Sequence, residues 1–358
     1  MLRKIHLVDF LFLCLCGLFA EQLLFNSPVI SRSIADSLKL CVETIIPSLF
    51  CFMVLTSFLS NSSLGKWLSL PMLPLCRLLC LPVNCGTALI LCFLGGYPAG
   101  VKALSDAWQR GEIDDKTLQR MLLFAICPAP SFVIVTVGCY FLGNQMLGCL
   151  LYGSQVLSVL FLALLSSVPA SVQSKQKLSR TLFQGECLPY DHALVEAVLF
   201  SSRTLLGMCG YIVFFAVLSS LLAQFPLPTE VLTLSSAALE ISGACGKLAA
   251  LSIPHRLSVL SFFLSFGGLS VQFQLKNILG NCPCSFLRLF LGRIAHGLCS
   301  AFFTELLLSA FPQTAAVFSA DASPLPLSNA STPILSLCLI GMICILLNGS
   351  QRKVAAKE

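Results

Sequence analysis

From residue 121 to residue 174 the chain carries no Asp, Glu, Lys or Arg. A soluble domain covers its surface with polar side chains, and a run of this length leaves it none to use. Lipid removes that requirement, but it also forces every backbone polar group to find a partner inside the protein. Helices and closed barrels alone meet that demand. The apolar runs are continuous and do not alternate, so they read as helices. Residues 44–65 and 204–229 are likewise free of charge, and each is near the ~20 apolar residues that a span needs. Across the 358 residues, 56% are hydrophobic and 11% charged, against about 25% charged in an ordinary globular domain. The fold class read from these runs is all-α, a polytopic membrane protein with the lipid bilayer as its first partner.

Composition excludes several function classes. The net charge of +6 is spread over loops and termini, which fits topology-setting charge and no nucleic-acid partner. The 19 cysteines fall mostly inside apolar runs, where Cys acts as a small hydrophobe. Cys282-Pro283-Cys284 is a close pair in a loop, yet two thiols do not complete a metal site. No metal or cofactor is expected. The H-E-x-x-H, G-x-S-x-G and P-loop patterns are missing from the sequence, and the four histidines, His6, His192, His255 and His296, are scattered. The chain does not read as an enzyme.

Spans are expected at residues 7–25 (as an uncleaved helix), at 44–65, twice within 121–174 with a division near Gly143-Asn144, and at 204–229, 257–275, 294–311 and 334–347. That makes about eight transmembrane helices. Arg3 and Lys4, then Lys175, Lys177 and Arg180, then Arg352, Lys353 and Lys357 place both termini and the linker on the cytoplasmic side of a multi-pass cell-membrane protein. Residues 312–332, with Asp321 as their one charge, read as external. Lys247, His255 and Arg256 fall on the external side, against the positive-inside rule. The domains read as 1–43, an N-terminal transmembrane helix and amphipathic segment; 44–169, a first repeat; 170–191, a linker; 192–311, a second repeat in inverted orientation; and 312–358, an external loop, last helix and tail.

The two repeats share interruptions. Gly95-Gly96-Tyr97-Pro98-Ala99-Gly100-Val101-Lys102 breaks one short apolar run, and Glu240-Ile241-Ser242-Gly243-Ala244-Cys245-Gly246-Lys247 breaks the other. Neither run is long enough to cross, so both read as re-entrant hairpins. A second break follows in each half, at Cys127-Pro128-Ala129-Pro130-Ser131 and at Ser265-Phe266-Gly267-Gly268-Leu269-Ser270. Proline removes a backbone donor, and glycine leaves helical geometry cheaply. Non-helical backbone at membrane depth survives where it is buried in protein or lines a wet cavity, so four matched breaks suggest a cavity between the halves, as in inverted-repeat transporters.

Candidate solute contacts follow from that cavity. Glu240 is an acid at membrane depth, which pairs or handles ions, and Lys247 two turns on could pair with it. Gly96 and Tyr97 sit at the first break. Lys102 and Asp106 share a helix face, more simply as an interfacial salt bridge. Ser131, Ser242, Gly243 and Ser270 stand where half-helix N-termini offer free N–H groups. Gln272 and Gln274 need partners inside a span, and their alternation lets one of them face the cavity.

Ile46-Pro47-Ser48-Leu49-Phe50, Gly95 to Lys102, Leu239-Glu240-Ile241-Ser242-Gly243 and Phe266 to Gln272, in this order and spacing, resemble the YlbJ-type sporulation integral membrane proteins of the wider nucleoside-recognition, or Gate, group. The resemblance covers roughly residues 41–311. It implies a bacterial, endospore-forming source, a cell-membrane location and a role in spore cortex formation. The resemblance is with a group that includes transporters, which implies a channel-like or transport function for a small polar solute, with a nucleoside-like one as the family label would have it. A homo-oligomer or other sporulation membrane proteins are the partners left open. The alternative reading is a non-transporting membrane scaffold for sporulation proteins. Cys127-Pro128-Ala129-Pro130 stands where the family pattern often has a polar pair.

Overall fold

A computed structural model describes residues 2–171 and 188–311. The linker lysines and arginine at 175, 177 and 180, residues 312–332, the span expected at 334–347 and the C-terminal basic tail lie outside the described residues. Among the described residues every element is helical. Six helices are long and apolar enough to cross a membrane: Ser27–Asn61, Cys85–Gln109, Gln145–Ser167, Tyr190–Leu222, Arg256–Leu279 and Phe286–Ala310. Their outward faces carry large exposed apolar side chains such as Leu206, Phe214, Leu298 and Phe302, as a lipid-facing surface requires.

In the first half, α1 is Leu2–Phe25 and α2 is Ser27–Leu40, with Pro28 in its first turn. Helix α2 continues through a π-helical turn at Cys41–Ile45 into α3, Ile46–Asn61. The amphipathic segment and the span expected from residue 44 are therefore one helix. Short helices α4 (Leu64–Ser69) and α5 (Leu73–Leu78) lead to α6, Cys85–Gln109. This helix is not straight. Gly96 has φ +72° and ψ −166°, and a Cβ built on Gly100 would lie 2.8 Å from the Cα of Cys92. Eight residues of straight helix rise about 12 Å, so the chain doubles back at Gly96 into two packed arms, 85–95 and 97–109. Helix α7, Asp115–Phe124, starts at Asp114, whose side chain accepts from the Thr117 N–H. After the break at residues 125–130 come a π-helix, Ser131–Phe141, and α8, Gln145–Ser171. Their division falls at Gly143-Asn144, as the sequence predicts.

The second half opens with α9, Tyr190–Leu222. Helices α10 (Thr229–Leu239) and α11 (Ile241–Ala250) meet at an extended Glu240 and pack on each other. Helix α12, Arg256–Phe266, stops at Gly267 in the left-handed region (φ +77°), and α13, Gly268–Leu279, follows. Helix α14, Phe286–Ala310, closes the half. It begins well before residue 294, the start expected from sequence, because Arg293 is fully buried in the protein and does not mark an interface. Likewise α9 begins before residue 204, carrying its charged residues on a helix that continues into the apolar run.

Among the described residues three buried apolar clusters form, the smallest joining Phe58 of α3 to Ala193 and Ala197 of α9, and two are large. One gathers residues of α6, α7 and α13, and the other gathers α3, the 131–141 helix, α8, α11 and α12. Between the halves, α3 packs on α9, α8 on α14, α7 on α14, α12 on α8, α6 on α13, and α11 on the 131–141 helix. The sixteen described cysteines are all free thiols, and among the described residues no cluster could hold a metal ion.

Candidate functional site

Within each half the two breaks touch. A Cβ on Gly96 would lie 2.7 Å from the Cβ and the backbone nitrogen of Ala129, inside the Cys127–Pro130 break. A Cβ on Gly268 (φ +73°) would lie 2.9 Å from the Leu239 carbonyl, one residue before Glu240. Both contacts leave no room for a side chain, which explains glycine at these two positions.

Each break frees backbone groups, and side chains take several of them. The carboxylate of Glu240 accepts from the N–H groups of Ser242 and Gly243, both at 2.7 Å, capping α11. A buried anion is stabilised there by the free N–H groups and the helix dipole. Ser242 and Gly243 were expected to offer those groups to a solute, but their N–H groups are engaged within the protein. No ion pair joins Glu240 to Lys247, which is exposed; the acid's two oxygens are occupied and the lysine points away. The Tyr97 hydroxyl donates to the Leu264 carbonyl in the last turn of α12, so the first break of one half touches the other half. Tyr152 on α8 donates to the Phe93 carbonyl at 2.6 Å, just before the Gly96 turn.

The polar residues after the breaks divide in two. Ser270 accepts from the Gln274 amide at 3.1 Å, one helical turn on. Gln272 is fully buried, and neither its amide nitrogen nor its amide oxygen has a partner in the protein. Of the two glutamines, both buried, Gln274 is partnered and Gln272 is not. Ser131, first residue of its helix, is also buried with an unpartnered hydroxyl. Lys102 does not join this group. It pairs with Asp106 one turn on and lies 5.5 Å from the Phe200 ring centre. His255, placed against the positive-inside rule by sequence, sits 2.7 Å from the Glu305 carboxylate.

The sequence reading named Ser265, as part of a break, and His296, but did not join them to a second polar group. Ser154, Gln155 and Ser158 on α8, Ser261 and Ser265 on α12, and Arg293, His296, Ser300 and Thr304 on α14 are all fully buried. Their spacing was the available signal. Residues 293, 296, 300 and 304 recur every three or four positions within an apolar run, which places them on one helix face.

Residues 42–145 match a family model described as nucleoside recognition, the Gate family. That segment runs from the π-turn through both breaks of the first half. Over 303 residues, covering 74% of this chain and 74% of the relative, the chain is 27% identical to the sporulation integral membrane protein YlbJ of Bacillus subtilis (strain 168). No solved structure matches. With its long apolar helices, this makes the chain a multi-span membrane protein with a Gate domain.

Proposed function

We propose that the chain is a sporulation-linked cell-membrane protein that conducts a small polar solute, nucleoside-like in character, between two inverted repeats, 44–169 and 192–311. In this reading the two arms of α6 and the pair α10–α11 are re-entrant hairpins. The 115–141 and 256–279 segments are broken spans, and residues 7–25 and 334–347 complete eight crossings. The termini are cytoplasmic, and no catalytic step is involved.

The packing supports the repeat. Exchange α3 with α9, α6 with α10–α11, α7 with α12, the 131–141 helix with α13, and α8 with α14. The α7–α14 contact then becomes α12–α8, and the α6–α13 contact becomes that of α11 with the 131–141 helix. The contact of α3 with the 131–141 helix becomes α9–α13, and each of these pairs is present. Two odd-numbered halves related in this way would face each other across a midplane site.

One observation carries the solute. Gln272 is fully buried beside the Gly267-Gly268 break with both amide atoms unmatched. Burying an amide without partners costs roughly 1–3 kcal/mol by protein mutational data, so a group of this kind is kept where something polar meets it. Leucine at 272 would remove that cost. Gln272→Leu is therefore expected to unfold at a higher temperature than wild type while losing solute flux about tenfold or more in liposomes, assayed with nucleosides, nucleobases and cell-wall precursors. No flux or binding for any of these with the wild-type protein, together with a Gln272→Leu chain that fully supports sporulation, would overturn the reading.

A further inference from the structure

Arg293 is fully buried on α14. An arginine in a span costs about 2.5–3.5 kcal/mol to insert, so its bonds must account for its presence. It has no acidic partner among the described residues. Its guanidinium donates instead to backbone carbonyls at the end of α7, to Leu123 at 3.0 Å and to Ile126. These carbonyls belong to the end of a helix that the Cys127-Pro128-Ala129-Pro130 break cuts short, where a cation also meets the negative end of the dipole. Arg293 thus lies in the second half and holds the break of the first.

The reverse arrangement is also present. Gln155 lies on α8, in the first half. Its amide nitrogen donates to the Ser261 carbonyl at 3.1 Å and to the Ser300 hydroxyl at 2.6 Å, and its amide oxygen accepts from Ser265. Ser265 lies in the last turn of α12, directly before the Gly267 break, and Ser261 one turn earlier. The two clamps are joined. Arg293 can only donate, so His296 Nδ1, at 3.2 Å, accepts; Nε2–H is left to donate to the Gln155 carbonyl at 3.3 Å. The ring is held as one tautomer by a cation on one side and a carbonyl on the other. A continuous chain of hydrogen bonds therefore runs from Ile126, through Arg293, His296 and Gln155, to Ser265.

We propose that Arg293 and Gln155 are reciprocal positioning residues, each fixing the second break of the opposite half, and that His296 links them so that the two breaks shift together. This goes beyond the solute reading, and its first test needs no solute.

The test is hydrogen–deuterium exchange by mass spectrometry on the full chain in nanodiscs, with peptide-level alkylation of Cys127, which is fully buried at the second break of the first half. Arg293→Met keeps side-chain bulk and removes the donors. It is expected to speed exchange around residues 125–133, and Cys127 alkylation, about tenfold, while the rest of its own half, from α9 to α11, keeps wild-type exchange. Gln155→Leu is expected to do the same around residues 264–270 and not at its neighbours on α8. Exchange confined to the half that carries the substitution, or raised evenly through both halves, would overturn the proposal. Should Arg293→Met fail to fold, Gln155→Leu decides by the same two outcomes. His296→Phe removes the link alone, and is expected to leave each break's basal exchange near wild type while making the effects of Arg293→Met and Gln155→Leu additive. In the intact chain those two effects are coupled. Additivity already in the intact chain would remove His296 from the proposal. Flux is read separately, so a chain that conducts nothing can still pass or fail this test.

Discussion

Replacing Gly96 by alanine tests whether the first break is a built feature or a loose kink. Gly96 has φ +72° and ψ −166°, a region that is essentially glycine-only and costs another residue roughly 1–3 kcal/mol. The added methyl would also lie 2.7 Å from the Ala129 Cβ and from its backbone nitrogen. A backbone wedged between two prolines cannot step aside, and such overpacking costs roughly 1–3 kcal/mol. Gly96→Ala is thus expected to destabilise the protein by roughly 2–6 kcal/mol. Gly111 supplies the control. Its φ is +71°, but the same methyl would find no atom within 4 Å, so Gly111→Ala carries a backbone term of roughly 1–2 kcal/mol alone. Both variants are compared with wild type by denaturant unfolding in one detergent. Coincident midpoints for the two variants would refute the close contact between the breaks, and with it the packed hairpin tip.

Two further substitutions probe caps. Glu240→Gln replaces one acceptor oxygen with a donor that faces an N–H group, and loses the charge on the α11 terminus; a cost of roughly 1.5–3 kcal/mol is expected, with faster amide exchange at Ser242 and Gly243, and unchanged protection there would contradict the cap. Asp114, in the loop before α7, has its carboxyl held below the usual carboxylate range by hydrogen bonds from Thr117. A depressed pKa means that the cap's contribution is present above about pH 4 and fades as pH falls through the folded value. Asp114→Ala is therefore expected to lower stability by about 0.5 kcal/mol, the low end for an exposed cap, at pH 7, with the gap to wild type closing on acidification. A gap that widens below pH 4 would reverse the sign argued here.

The sequence showed the membrane class and the position of all four breaks, because both are written in contiguous residues: uncharged runs in one case, clustered Gly and Pro in the other. It misplaced the start of the last described helix, and for a physical reason. Arg293 read as a charge at the edge of a span, since a charge inside one is costly, and nothing local in the sequence reveals that carbonyls of Leu123 and Ile126, far back in the chain, receive it. The same holds for Glu240. Its depth and its place before a Gly-rich break were legible, but the partner expected for it was Lys247, a side chain, when the structure supplies the backbone of its own next turn. Gln155 escaped notice because a lone amide in an apolar run gives no sign of the three serines waiting on two other helices.

These partners change the argument for a pathway. From sequence, broken helices in lipid imply unpaired backbone, and unpaired backbone implies water. In the fold, the carbonyls of Phe93, Leu123, Ile126, Ser261 and Leu264 and the N–H groups of Ser242 and Gly243 are all met by side chains. The breaks could then be dry. Among the described residues the buried side-chain atoms left unmatched are on Ser131, Thr136, Ser201, Gln272 and Arg293 (its Nε), and two of these residues, Gln272 and Ser131, stand just beyond a second break, in opposite halves. A dry structural joint gains nothing from such groups, and apolar residues there would insert into lipid more easily. The breaks therefore act as the frame, and their capping side chains hold that frame rigid. The polar requirement that a solute could meet beside the breaks lies in Gln272 and Ser131.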